Sequence, residues 1–274
     1  MKKLIGNLQK LKSKLEDPIH YYFRIGEQEE LVNAWVGKII GLHPTGNIHC
    51  IQCGRKTNKS FQQGFCFPCF RRLQECDLCI IHPERCKVES GSCPTDDWAH
   101  SHCHQTHIVY LANSSGLKVG ITRETQVPTR WIDQGAIQAL PIFKTRNRYQ
   151  AGLVEVALKH YVNDRTDWRV MLRHEVETVD LLTAWNDLYR QVEHDIQTIM
   201  NRFPSESIVR IHDQAVTQLQ YPLLHPPKKI NSLSLDQPVV GQLLGVKGQY
   251  LILDTGVINI RKFSGYEVEC SYSF

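Results

Sequence analysis

The chain has 274 residues, 42% of them hydrophobic, and its 32 Lys and Arg outnumber its 28 Asp and Glu for a net charge of +4. That length and apolar content suit one large domain or several small ones and exclude wholesale disorder. So small a net charge selects no partner, and no stretch approaches the ~20 apolar residues of a membrane-spanning helix.

The charge is unevenly placed. Residues 1–14 hold five lysines and no acid, and residues 51–74 hold Arg55, Lys56, Lys59, Arg71 and Arg72, again with no acid. The opening MKKLIGNLQKLKSKLEDP lacks the apolar run of a signal peptide, so a cytoplasmic location is expected. There thiols stay reduced, and clustered CxxC pairs favour zinc over disulfides.

Residues 1–48 alternate loosely between glycines and predict a β-rich N-terminal segment. Ile5-Gly6-Asn7-Leu8 resembles Val240-Gly241-Gln242-Leu243 near the other end, which means either a short repeat or two termini joining one β-unit.

Residues 49–107 predict a cysteine-rich zinc-binding module. CIQC at 50–53 and CFPC at 66–69 each offer two thiolates from one tight turn. Cys50, Cys53, Cys66 and Cys69 would complete a tetrahedral shell, leave no open position, and make the zinc structural. The loop between them is basic, with aromatics interleaved. Arg55, Lys56, Lys59, Phe61, Arg71 and Arg72 therefore suit phosphate contact and base stacking. The alternative is that the phenylalanines form the module's own small core and the cations are simply solvated. Five cysteines and five histidines from Cys76 to His107 suggest a second zinc, assigned to Cys79, Cys86, Cys93 and Cys103 with Cys76 or His107 as substitutes.

Residues 108–175 predict strands at 108–112 and 117–121, a short helix at 129–134, a strand at 139–143 and a helix from about 148 to 162. In the hairpin IVYLANSSGLKVGIT, a three-residue loop at Asn113–Ser115 would set Tyr110 opposite Lys118 on one sheet face. Residues 176–220 form a helical segment whose apolar positions from Leu181 to Ile199 recur at helical spacing. Pro222–Pro227 reads as a linker. The rest of 221–274 alternates between turns, predicting an antiparallel meander or small barrel with Cys270 as a small buried hydrophobe.

VYL followed by KVGIT, with Arg130 in VPTRWIDQGA and Glu155 in GLVEVALKHYV, resembles the GIY-YIG nuclease superfamily over about residues 108–175. The nearest members read KIG in the second motif. The resemblance implies a GIY-YIG-like α/β domain with a small antiparallel sheet and metal-assisted phosphodiester hydrolysis. Tyr110 would orient or deprotonate water, Arg130 would neutralise transition-state charge, and Glu155 would hold Mg²⁺ or Mn²⁺. Lys118 stands where the superfamily has a second tyrosine and, with Arg123, would hold phosphate. His160 and Asp164 extend the site or form a helix-end charge cluster. Most of the chain is also similar to an uncharacterised bacterial domain family with phrases such as KVGITR and RWIDQGA, which implies no activity.

The sequence thus predicts an α+β multidomain protein that contains one or two structural zincs and binds RNA or DNA, with no membrane and no identifiable protein partner. Its first function would be a divalent-metal-dependent endonuclease. The alternatives are a non-catalytic zinc-dependent RNA, DNA or ribonucleoprotein binder, and a protein-interaction module.

Overall fold

The computed structural model describes residues 2–162, 165–173, 175–213, 215–227 and 230–273. The N-terminal part runs through β1 (Lys2–Asn7), β2 (Lys12–Lys14), β3 (His20–Ile25), β4 (Gln28–Leu31) and β5 (Ile39–Ile48). The cysteine-rich part has little regular structure beyond α1 (Phe67–Arg72) and α2 (Asp97–His102). Then come β6 (His107–Asn113), β7 (Leu117–Arg123), α3 (Thr129–Asp133), β8 (Gln138–Thr145) and α4 (Arg148–Lys159). Next are α5 (Trp168–Arg173), α6 (Leu181–Met200), β9 (Ile208–Arg210) and β10 (Thr217–Gln218). The chain closes with β11 (Val239–Lys247), β12 (Tyr250–Leu253), β13 (Gly256–Asn259) and β14 (Tyr266–Tyr272).

The largest sheet mixes both ends of the chain in the order β1-β14-β5-β11-β12-β13. Its pairings obey an internal two-fold relation. Leu4 opposite Cys270 matches Val239 opposite Leu42. About the central pair Leu42 and Cys270, Ile40 opposite Tyr272 matches Pro44 opposite Val268. The hairpins agree, with Tyr22 facing Leu31 in β3–β4 and Tyr250 facing Asn259 in β12–β13. Backbone bonds repeat as well: the Gly37 amide donates to the Leu243 carbonyl at 2.7 Å, and the Gly265 amide to the Leu8 carbonyl at 2.8 Å. Each copy is thus a strand, a hairpin, a 3₁₀ turn, a glycine and a final strand, and the copies exchange first strands. β2 is an insertion in the first copy, where the second turns tightly between β11 and β12. The Ile5–Leu8 and Val240–Leu243 likeness is the sequence trace of this repeat. The path ends at β1 and β13 without closing, so of the expected meander or small barrel the meander β11-β12-β13 forms and the barrel does not.

The central sheet has the order β10-β8-β6-β7, with β9 also on β8. One face, with Val109, Leu111, Val119 and Leu140, buries the apolar stripes of α4 and α6, including Trp185, Val192 and Ile196. The other face, with Ile108, Tyr110 and Ala112, merges through Trp131 and Ile132 into the core of the two-fold repeat. The hairpin register sets Tyr110 opposite Gly120 and Ala112 opposite Lys118. The loop is therefore Ser114–Gly116, one residue later than expected, and Tyr110 does not face Lys118. Asn113 stays in the strand because its buried amide donates to the Gln138 side chain at 3.2 Å and the Glu177 carbonyl at 2.8 Å. Gly116, at φ +116, takes the positive-φ position.

Polar contacts lock α3 onto the repeat. Gln249 accepts from the Leu11 amide (2.8 Å) and donates to the Leu11 carbonyl (3.0 Å) and Asp133 Oδ1 (2.8 Å), while Lys10 pairs with Asp133 at 3.1 Å. The proline segment is no free linker at its start: the Leu224 amide donates to Leu244, and Pro222 accepts from Val246. Proline lacks a donor, but its carbonyl still joins a ladder. Among the described residues no helix is long and apolar enough to cross a membrane.

Candidate functional site

The Cys50, Cys53, Cys66 and Cys69 sulfurs all lie within 4.8 Å of one another. Cys53 and Cys66 are 3.8 Å apart, matching the edge of a tetrahedron with ~2.3 Å metal bonds. Cys66 caps α1, so the helix start fixes the second pair. Burial pushes the Cys50 thiol up, but the amides of Cys53, Cys66 and Gln52 outweigh it and bring the group down to about 6. Burial and then the neighbouring sulfurs of Cys66, Cys53 and Cys50 push Cys69 up to about 12. Crowded sulfurs of which one is a thiolate are what a soft cation stabilises. The cluster can hold a zinc ion.

The second cysteine set is looser. Cys86 and Cys93 are 3.9 Å apart, and Cys79 and Cys103 lie close enough to feel the Cys86 charge. No three of the four meet the 4.8 Å spacing of the first cluster. Cys76 packs beside Cys50 and Cys66, and His107 is fully buried with Nδ1 on the Gln105 carbonyl.

Around the first cluster, Arg55, Lys56, Lys59, Arg71 and Arg72 are exposed. Phe61 stacks on Phe70 at 5.6 Å, tilts against Phe67 and carries the Lys59 ammonium 5.3 Å from its centroid. Its ring is engaged within the module, and none of these six residues lines the cavities described next.

Gly120, Arg130, Gln134, Glu155 and Lys159 are among the walls of a cavity of about 460 Å³ beside the open edge of β7. Tyr110 lies beneath it, fully buried, and its hydroxyl donates to Gln134 Oε1 at 2.9 Å. The ring fits because Gly120 opposite has no side chain: a β-carbon there would stand 2.7 Å from the Tyr110 oxygen. Burial raises the Tyr110 pKa, Arg130 lowers it and Glu155 raises it, so both charges act on this hydroxyl. Glu155 is only 8% exposed, with Lys159 one helical turn on at 3.3 Å. The α4 stripe Ala151, Val154 and Leu158 packs on the sheet and leaves Glu155 on the flank over β7. Gly152 on the same helix lets Pro83 and Glu84 approach, since a β-carbon would meet them at 2.8 Å. This contact seats α4 against the cysteine-rich part.

Tyr110, Arg130 and Glu155 are therefore brought together. Lys118 is not: it is 3% exposed, donates to Thr166 Oγ1 at 3.0 Å and does not line the cavity. His160 is an exposed cap at the end of α4, and Asp164 lies outside the described residues. The donor set around Glu155 does not favour Mg²⁺ or Mn²⁺. The carboxylate is paired with Lys159, and among the described residues no group of three metal-ligating side chains other than the Cys50 cluster forms.

Sequence reasoning missed several neighbours. Gln134, in RWIDQGA, is one turn from Arg130 and detectable by that spacing. Arg148 begins α4, with its amide on the Cys103 carbonyl and its guanidinium on the Ile80 carbonyl at 2.5 Å. Lys10 and Arg261 arrive from opposite ends of the chain through the repeat and carry no local signal. These cations also wall a second cavity of about 1020 Å³ between the repeat and the cysteine-rich part.

Fold and site define a mixed α+β protein with several antiparallel sheets and a four-cysteine cluster suited to zinc. The family described as "Protein of unknown function (DUF2797)" matches residues 37–268, and the chain belongs to it. No curated protein and no solved structure matches the chain.

Proposed function

We propose that this is a zinc-stapled nucleic-acid-binding protein whose Tyr110, Arg130 and Glu155 pocket seats a phosphodiester. The supporting observation is the convergence of those three residues, predicted from the GIY-YIG resemblance, around one cavity at the edge of β7. Arg130 offers a planar fork to phosphate oxygens. Tyr110 keeps its proton at neutral pH because burial raises its pKa, so it acts as a hydrogen-bonding positioner for Gln134 and not as a base. Cys79, Cys86, Cys93 and Cys103 hold a second structural zinc in this reading, with Cys86 and Cys93 already at tetrahedral-edge spacing.

A second reading is hydrolysis. The GIY-YIG resemblance motivates it, but the Lys159-paired Glu155 is a poor seat for the Mg²⁺ or Mn²⁺ it would need. Labelled RNA and DNA incubated with either metal test both readings. Cleavage lost in Glu155→Ala supports hydrolysis, and salt-sensitive binding without cleavage supports binding alone. Absence of binding at low salt contradicts both and leaves the protein-interaction module.

A further inference from the structure

We infer that Lys10, Arg123, Arg148 and Arg261 form a polyanion seat that guides a single-stranded nucleic acid from the Arg130 pocket into the larger cleft. The inference rests on the phosphodiester reading above and names its substrate class.

These four residues wall both cavities, and among the described residues they are the only charged side chains that do. They come from four places: the loop before β2, the end of β7, the start of α4 and the 3₁₀ turn before β14. Their charges crowd one another. Burial and then the Arg148 charge lower the Arg123 pKa, and burial and then Arg130 lower that of Arg261. Asp133 pairs with Lys10 at 3.1 Å, but among the described residues no carboxylate forms an ion pair with Arg123, Arg148 or Arg261. Arg123 and Arg148 spend donors on the Ser101 and Ile80 carbonyls, and the buried Arg148 Nε has no partner. Half-buried guanidinium groups without a close counter-charge cost stability unless an anion joins them, and Glu155 and Asp133 act on Arg148 and Arg261 only from a distance. Phosphates provide that charge at regular intervals.

The larger cleft supplies the second element. At about 1020 Å³ it sits at the upper end of the ~300–1,000 Å³ of ordinary ligand sites. Trp98 and His102 line it, stacked with centroids 4.4 Å apart at 7°. Phe65, Ile80 and Ile81 add apolar surface. Unpaired bases can lie on such faces, whereas a duplex keeps its bases stacked inside and presents only phosphates.

Fluorescence anisotropy on the full zinc-loaded chain tests this with labelled oligothymidylate, oligouridylate and a duplex of the same length, titrated with salt. The single strands should bind at least 10-fold tighter than the duplex. Lys10→Gln with Arg261→Gln should lower the slope of log affinity against log salt by ~1.4, at ~0.7 per phosphate contact. Trp98→Ala should weaken single-strand binding roughly 5- to 150-fold without changing the slope. Should the double variant fail to fold, Arg261→Gln alone carries the test, with a drop of ~0.7. Equal duplex affinity, or an unchanged slope in the folded variant, overturns the inference while leaving the phosphodiester reading intact. No binding of any nucleic acid overturns both.

Discussion

The Tyr110 hydroxyl oxygen lies 2.7 Å from where a β-carbon on Gly120 would stand, so the tyrosine crosses its partner strand only because that partner has no side chain. Cross-strand pairing fixes the two residues opposite each other, and the pair places the hydroxyl under the Arg130 and Gln134 cavity. Gly120→Ala should destabilise the protein by about 1–3 kcal/mol through overpacking. Tyr110→Ala in the same chain should cost less than the two single changes combined, because one contact underlies both. Urea unfolding of the double-mutant cycle checks this, and simple additivity would count against it.

Gln249 satisfies both backbone groups of Leu11 and one oxygen of Asp133. Gln249→Ala leaves a buried donor and acceptor unpaired, so a loss of about 2–4 kcal/mol is expected. Thermal and urea denaturation measure it. A change below about 0.5 kcal/mol would show that water replaces the amide.

Zinc analysis of the purified chain should find two ions, both structural. Cys53→Ser should remove one and Cys93→Ser the other, with Co²⁺ substitution giving a thiolate charge-transfer band at each. A single ion insensitive to Cys93→Ser would confine zinc to the first cluster.

His107 supplies a pH test. Burial takes its pKa down to about 4, against about 6.5 in an unfolded chain. The unfolded state therefore binds the proton more readily, and stability falls as pH drops through the window from 6.5 to 4. Between pH 7.5 and 5.5 the loss should be roughly 1 kcal/mol. His107→Gln should flatten that slope in urea unfolding, and an unchanged slope would point to other groups.

Much of the central unit was legible because its signals are local. The strands, the 129–134 helix and the long apolar helix follow from periodicity, and the Cys50 cluster from two CxxC turns. The hairpin register was not, because Asn113 reads as a turn residue and yet is held in the strand by Gln138 and Glu177 far along the chain. Only four residues betrayed the repeat, since β2 interrupts the first copy and the copies exchange strands. The sheet path ends open at β1 and β13, so the C-terminal strands form no barrel of their own. A lone helical glutamate gives no sign of burial, and that of Glu155 depends on how α4 overhangs the edge of β7. Lys10 and Arg261 meet the pocket only after residues as far apart as Lys2 and Tyr272 pair in one sheet.

The most direct measurement of the central claim is the low-salt affinity of labelled RNA and DNA for the wild-type chain and for Arg130→Ala. A phosphate seated on the Arg130 fork predicts measurable wild-type binding and a loss of about 10-fold or more in the variant, with Arg130→Lys recovering only part. Equal affinity of wild type and Arg130→Ala, or no binding by either, would contradict it.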